Sequence, residues 1–269
     1  MNWLKRRRVL QIVVSILLLY LFFFYYQNNV IMVTKIDMTS GKTNGVRIVH
    51  LSDLHDKQFG RDNKRLLKKV SSLEPDIIVV TGDTLDNPDK MEQDAEFVIA
   101  LLDYAPVFCI AGNHEWLSGK RHELAEILKD NGIIFLEDEI YTLSINDSTI
   151  NILGLDERLK TKRIPDLFEE LETMQGLNIV LSHYPENYSL TGEKSYNQYE
   201  FDIMFSGHSH GGQFILPFVG GVYSPGQGLF PRYYRGLYDG RLIVSAGLGD
   251  SVFPQRLFNR PQVIVVMQN

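Results

Sequence analysis

Five short motifs bring histidine, carboxylate and amide side chains together in one fixed order. They are Asp53-Leu54-His55, Gly82-Asp83, Gly112-Asn113-His114-Glu115, Ser182-His183 and Gly207-His208-Ser209-His210. Five of the seven histidines of the chain fall inside them. Residues two apart on an extended segment point to the same face, which applies to Asp53 with His55 and to His208 with His210. The set offers oxygen and imidazole donors without thiolates, which suits Zn, Fe or Mn better than an all-oxygen Mg or Ca cage. Such a set can surround two metal ions, and two metals in a cleft are a device for attack at phosphorus.

Each motif sits where a hydrophobic run gives way to glycine and polar residues. Runs at 46–51, 76–81 and 107–111 read as buried strands. Between them, Leu66, Leu67, Val70 and Leu73 mark an amphipathic helix, and 91–104 and 122–129 read as two more. The second half holds strand-like runs at 133–136, 141–145, 150–155, 177–182, 201–206, 242–245 and 263–267. The alternation predicts an α/β fold, with two packed mixed sheets flanked by helices. In open α/β sheets, binding groups gather beyond the carboxyl ends of the strands, and every motif lies at such an end.

The 269 residues carry 27 Lys+Arg and 33 Asp+Glu, a net charge of −6. Four of the cations (Lys5, Arg6, Arg7, Arg8) come in the first eight residues, and no acid precedes Asp37. The remaining acidic balance argues against a general nucleic-acid binder, which needs a basic surface. A phosphate substrate stays compatible, because a bound divalent metal inverts the local charge. Cys109 is the only cysteine, so there is neither an intrachain disulfide nor a thiolate cluster; between Phe108 and Ile110 it reads as a small buried hydrophobe.

Residues 9–26 form an uncharged run whose clearly polar members are Gln11 and Ser15. As a helix it spans about 27 Å, close to the hydrocarbon thickness of a bilayer. Cations before it and none after it until Lys35 place the N-terminus in the cytoplasm and the rest outside. No small-x-small cleavage pattern follows the run, which favours an uncleaved single-pass anchor in the cell membrane. Arg6-Arg7 followed by Val9-Leu10 also resembles a twin-arginine export signal, with an ordinary basic flank as the plain alternative. The expected organisation is anchor 1–27, a polar linker 28–45 and one catalytic domain 46–269.

Taken together, Asp-x-His, Gly-Asp-x-x-Asp, Gly-Asn-His-Glu, His and Gly-His-x-His resemble the signature of calcineurin-like metallophosphoesterases. The later pieces Gly211-Gly212-Gln213, Gly236-Leu237-Tyr238, Val244-Ser245-Ala246-Gly247 and Pro254-Gln255-Arg256 resemble its membrane-associated phosphodiesterase branch, which includes hydrolases of UDP-diacylglucosamine. The resemblance implies a four-layer α/β/β/α sandwich. It further implies that Asp53, His55 and His210 bind one metal, that Asn113, His183 and His208 bind a second, and that Asp83 bridges them. A hydroxide between the ions would attack phosphorus. His114 would stabilise the transition state or protonate the leaving oxygen.

Taken singly, each residue has a duller reading as a turn, a helix cap or a hydrogen-bonded structural histidine, and His50 and His122 are given that reading. Asp56, Asp86, Glu115 and Asp156 read either as groups orienting the ligands or as solvated turn residues. Protein phosphatases of the superfamily carry Arg-Gly after the Gly-Asp motif; here Asn87-Pro88 follows Asp86. That departure favours a phosphodiester or pyrophosphate substrate, with lipid-linked and nucleotide diesters both open. The stretch 214–238, dense in Phe, Tyr, Gly and Pro, reads as hairpin packing or as an amphipathic lip near the metals. Arg256 reads as a phosphate contact or a surface ion-pair residue. The competing functions are a metal-stabilised binding or scaffold module without catalysis, and a phosphomonoesterase or protein phosphatase.

Overall fold

The computed structural model describes residues 3–39, 41–156, 158, 164–190, 195–251 and 253–268. The chain opens with helix α1 (Trp3–Asn29), followed at once by strand β1 (Met32–Met38). Strands β2 (Val46–Leu51), β3 (Ile77–Thr81), β4 (Val107–Ile110) and β5 (Ile134–Phe135) follow, joined by helices α2 (Lys64–Ser71), α3 (Met91–Ala100), α4 (Asn113–Leu117) and α5 (Arg121–Asp130). A second set comprises β6 (Glu139–Ile145), β7 (Ser148–Gly154), helix α6 (Ile164–Thr173), β8 (Leu177–Leu181) and β9 (Ile203–Ser206). Two small hairpins then pair β10 (Ile215–Leu216) with β11 (Gly220–Gly221) and β12 (Tyr223–Ser224) with β13 (Gly228–Leu229). Strands β14 (Gly236–Tyr238), β15 (Leu242–Val244) and β16 (Gln262–Gln268) complete the chain.

Two six-stranded mixed sheets result, in the orders β1-β16-β2-β3-β4-β5 and β14-β15-β9-β8-β7-β6. Strands β2 to β5 run parallel, as do β7, β8, β9 and β15. The fully apolar runs are what two covered faces demand. Successive residues divide between the faces: Ile48, Ile77, Val79 and Phe108 meet Ile152, Ile179, Leu181 and Phe205 of the other sheet. Their neighbours Val49, Ile78, Val80 and Cys109 face outward onto Leu66, Val70, Phe97, Val98 and Leu124 of the helices. On the far side, Val180 and Met204 pack on Leu167, Phe168 and Leu171 of α6. The architecture is thus helix, sheet, sheet, helix, as the sequence predicts.

The 28–45 stretch departs from expectation. Instead of a structureless linker, Met32–Met38 forms an edge strand in parallel register with β16. Its face-to-face alternation is only half-buried and interrupted by Thr34, Lys35 and Asp37. The partner strand lies at the other end of the chain, so no local pattern announces the pairing. Helix α1 is long and apolar enough to cross a membrane, with a mean hydropathy of 2.3, and its apolar window is not buried against the rest of the protein.

Candidate metal centre

The five motifs occupy the loops that leave the carboxyl ends of parallel strands: Asp53 and His55 follow β2, Asp83 follows β3, Asn113 and His114 follow β4. His183 follows β8, and His208 and His210 follow β9. Contacts across the two sheets bring the loops together. The His183 Nδ1–H donates to the Thr81 carbonyl (2.7 Å), and the His208 backbone N–H donates to Asp53 Oδ1 (2.9 Å). The turns are tight. Asp53, His55, Asp83, His208 and His210 all adopt left-handed backbone, with φ between 45° and 64°. That region costs a non-glycine residue roughly 1–2 kcal/mol, and Asp and His tolerate it better than most. Gly112 is required for close approach, since a Cβ there would lie 2.7 Å from the Asp83 amide nitrogen and 2.8 Å from the His183 ring.

Alongside a group of His55, Asp86 and His114, two groups of ligand atoms share Asp83, each drawn within 4.8 Å: Asp53, His55, Asp83 and His210 in the first, Asp83, His183 and His208 in the second. Asp83 belongs to both. In the second group, His183 Nε2 stands 3.2 Å from Asp83 Oδ2, 3.2 Å from Asn113 Oδ1 and 3.2 Å from His208 Nδ1. Because a carbonyl can only accept, the neutral ring of His183 carries its proton on Nδ1. In that neutral form its Nε2 lone pair meets a carboxylate oxygen, an amide oxygen and another ring nitrogen; without a bound cation, a proton on Nε2 bonds to Asp83 instead. Electron pairs converging on one point favour a cation there. In the first group, Asp53 Oδ2, His55 Nε2 and His210 Nδ1 are buried without hydrogen-bond partners. Buried polar atoms are otherwise almost always paired. The donor set fits a metal at each of these two groups, and the orphaned atoms add to that fit at the first.

The electrostatics agree. Burial raises the Asp53 carboxyl above its usual range. Burial would raise Asp83 too, but His183 and His55 outweigh it and hold that carboxyl well below. Burial would lower His183, yet Asp83 and Asp53 push its imidazole up to about 10. Burial, with the charge of His183, drives His208 down to about 3. Burial and His55 hold His210 well below its usual value. Two carboxylates in a dry pocket thus demand positive charge, and a protonated His183 or a bound cation supplies it.

Around this cluster stand residues whose roles the sequence leaves open. Glu115 is buried, and its carboxylate accepts from the backbone N–H groups of Gly112 (2.7 Å), Asp83 (2.9 Å), Thr84 (2.7 Å) and Leu85 (3.1 Å). It ties the β3 and β4 loops together, and the solvated-turn reading does not hold. Asp56 accepts from the Asp86 and Asn87 N–H groups. Asp86 in turn lies 2.7 Å from His114 Nδ1, and the His114 backbone N–H donates to Asp83 Oδ1. Asp156 is buried and receives Arg121 and the Trp116 indole N–H, so it braces α4 and α5. His50 is buried against Thr81 and His122 packs on Trp116, away from the cluster.

Arg256 is neither a phosphate contact nor a surface residue. Its guanidinium is buried and donates to the carbonyls of Ala246, Gly249 and Asn259. Burial pushes it down to about 10. Glu186 escaped sequence reasoning: its Oε1 lies 4.0 Å from His208 Nε2. Its only signal is its place three residues after His183. A cavity of about 320 Å³ opens over the cluster, and Tyr223, Pro225, Asp250 and Ser251 line it together with cluster residues such as His55, Asp83, His114 and His208.

Comparison with known proteins agrees with this geometry. The family model for calcineurin-like phosphoesterases matches residues 46–212. The metallophosphoesterase YkuE of Bacillus subtilis is 32% identical over 234 residues, covering 82% of this chain and 78% of its own. The UDP-2,3-diacylglucosamine pyrophosphatase LpxG of Chlamydia trachomatis is 30% identical, covering 77% and 78%. The phosphodiesterase YaeI of Escherichia coli is 26% identical, covering 82% and 81%. Fold, site and relatives lead to one conclusion: the chain belongs to the calcineurin-like phosphoesterase family of metal-dependent hydrolases.

Proposed function

We propose that this protein is a membrane-anchored phosphodiesterase or pyrophosphatase working with two metal ions. The observation that carries the proposal is Asp83, one carboxylate shared by two converging ligand groups. Asp53, His55 and His210 would hold one ion, Asn113, His183 and His208 the other, and Asp83 both. The donor set suits Zn, Mn or Fe. Bound there, the ions supply neutralisation of the phosphoryl oxygens and lower the pKa of water. His114 is the chain's own proton carrier. In the doubly protonated ring Asp86 would accept the Nδ1–H, and the Nε2–H would pass to the leaving oxygen, returning His114 to the neutral form. Glu115 and Asp56 hold the loops that aim these groups.

Two observations support the substrate class. Asn87-Pro88 stands where protein phosphatases carry Arg-Gly, and relatives include a phosphodiesterase and a lipid-nucleotide pyrophosphatase. Helix α1 supports a single-pass anchor, and the cations before it favour a catalytic domain outside the cytoplasm. The test is hydrolysis by the full chain in detergent, supplied in turn with Mn, Zn and Fe. Bis-p-nitrophenyl phosphate or a pyrophosphate-linked lipid nucleotide should be cleaved faster than p-nitrophenyl phosphate. A preference for the monoester would overturn the diesterase reading. No turnover of any of them with metal bound would leave the scaffold reading.

A further inference from the structure

Outside α1, the described residues expose twelve large apolar side chains, and eight of them lie in 216–230 and 253–258. The most prominent are Phe218, Val219, Leu229, Phe230, Phe253 and Phe258. Apolar side chains scattered singly are ordinary, but a concentration of this kind marks an interaction surface. The two segments are joined. Phe214 bridges Leu257, the Ile215 N–H donates to the Leu257 carbonyl, and the Phe230 N–H donates to Val222. The same hairpins supply Tyr223 and Pro225 to the wall of the cavity over the metal ligands.

This surface is continuous with the end of α1. The Asn28 side chain donates to the Pro254 carbonyl and accepts from the Arg256 N–H and the Gln255 amide. Arg260 donates to the Tyr26 hydroxyl. The Phe258 ring meets Phe23 edge-on at 5.9 Å between centroids. Phe23 lies within the uncharged run 9–26, about 9 Å of helix before Asn29. Strand β1 starts within three residues of that end, so the helix has no long tether on which to swing. Charge points the same way. From Ile203 to Tyr238 and from Ser251 to Asn269 there is no Asp or Glu, in a chain that holds 33 acids.

From this we infer that the two hairpins and the 253–258 segment dock into the lipid surface beside α1, so that the mouth of the catalytic cavity opens at the membrane interface. The inference rests on α1 being a membrane anchor. Side chains touching the apolar part of a spanning helix lie at the depth of the headgroups and acyl chains. Exposed aromatic and aliphatic side chains on segments that themselves carry no acid are suited to that boundary. A substrate with its lipid tail in the bilayer would then present its phosphate to the metals without leaving the membrane.

The full chain, reconstituted in vesicles of phosphatidylcholine and phosphatidylglycerol, tests this by spin labelling at single added cysteines. Cys109 is buried, which shields it from the label. Labels at Phe218→Cys and Phe230→Cys should be more accessible to oxygen than to an aqueous nickel chelate, like a label at Leu18→Cys in α1. A label at Leu117→Cys should show the reverse. If Leu18 reports lipid while positions 218 and 230 report water, the docking is wrong and the anchor stands. Shielding of 218 and 230 from both reagents would also overturn it, in favour of a protein partner. If Leu18 itself reports water, the anchor fails and the docking with it. Independently, combining Phe218→Ser with Phe230→Ser should lower turnover of a vesicle-embedded pyrophosphate-linked lipid by about tenfold or more while sparing bis-p-nitrophenyl phosphate. Equal effects on both substrates would contradict the inference.

Discussion

The ligand cluster and the apolar hairpins line one cavity and are built in opposite ways. The cluster hangs on the ends of buried parallel strands. Its side chains are mostly buried, its turns are left-handed at five positions, and Glu115 clamps its loops through backbone N–H groups. The lip consists of two-residue strands with exposed aromatic tips. Strain and buried charge are tolerated where two cores enclose the site, and apolar exposure is tolerated where little core lies beneath. The contrast separates chemistry from recognition. Substitutions in the cluster should alter turnover on every substrate, and substitutions in the lip should alter only which substrate arrives.

The largest effect is expected at Asp83. Asp83→Asn should lower diester turnover on the order of 10³-fold or more while circular dichroism shows the fold retained. An active Asn variant would refute the shared carboxylate. Next comes His114→Gln, with a loss of about 10²–10⁴-fold in kcat and unchanged metal content. Asp86→Asn should lose less, about 10-fold to 100-fold, because it acts through His114. Loss of metal in either variant would assign His114 and Asp86 to binding instead.

Glu115→Gln should cost about 3 kcal/mol of stability, read by thermal or urea unfolding, because an amide cannot replace a carboxylate that accepts from four backbone N–H groups. Asp94 gives a smaller effect with a definite sign. Burial, with the nearby Asp56 carboxylate, pushes its carboxyl up to about 9. The native state therefore keeps a proton that the unfolded chain, with an ordinary carboxyl, releases. This contribution falls as pH rises between the ordinary range and about 9. Asp94→Asn should match the parent near pH 4 and exceed it by about 2 kcal/mol near pH 8. A gap that shrinks with rising pH would contradict the assignment. The smallest change is expected at the lip: Phe218→Ser should shift stability by less than about 0.5 kcal/mol in detergent.

What the sequence made legible follows the same division. The strands that carry the motifs are unbroken apolar runs, and glycine marks several of their ends, so the layered fold could be read in advance; the set Asp53, His55, Asp83, Asn113, His183, His208 and His210 came from the resemblance of the motifs to a known family. Residues acting through backbone partners could not be read in advance. For Glu115 the sequence leaves a ligand-orienting group and a turn residue equally open, because its partners are amide groups, which every residue carries. Arg256 reads as a phosphate contact or a surface ion-pair residue because nothing local shows that three carbonyls converge on it. Strand β1 hid behind Thr34, Lys35 and Asp37, with a partner at the far end of the chain. Helix α6 was passed over between the runs at 150–155 and 177–182. Composition left 214–238 open between hairpin packing and an amphipathic lip, and its continuity with α1 depends on Asn28 and Phe23 meeting residues more than two hundred positions away.

Anomalous diffraction from crystals of the metal-loaded protein, collected at the absorption edge of the bound metal, tests the central claim most directly. Two peaks are expected, one among Asp53, His55 and His210 and one among Asn113, His183 and His208, both beside Asp83. A single peak, or a peak away from Asp83, would contradict the two-metal account.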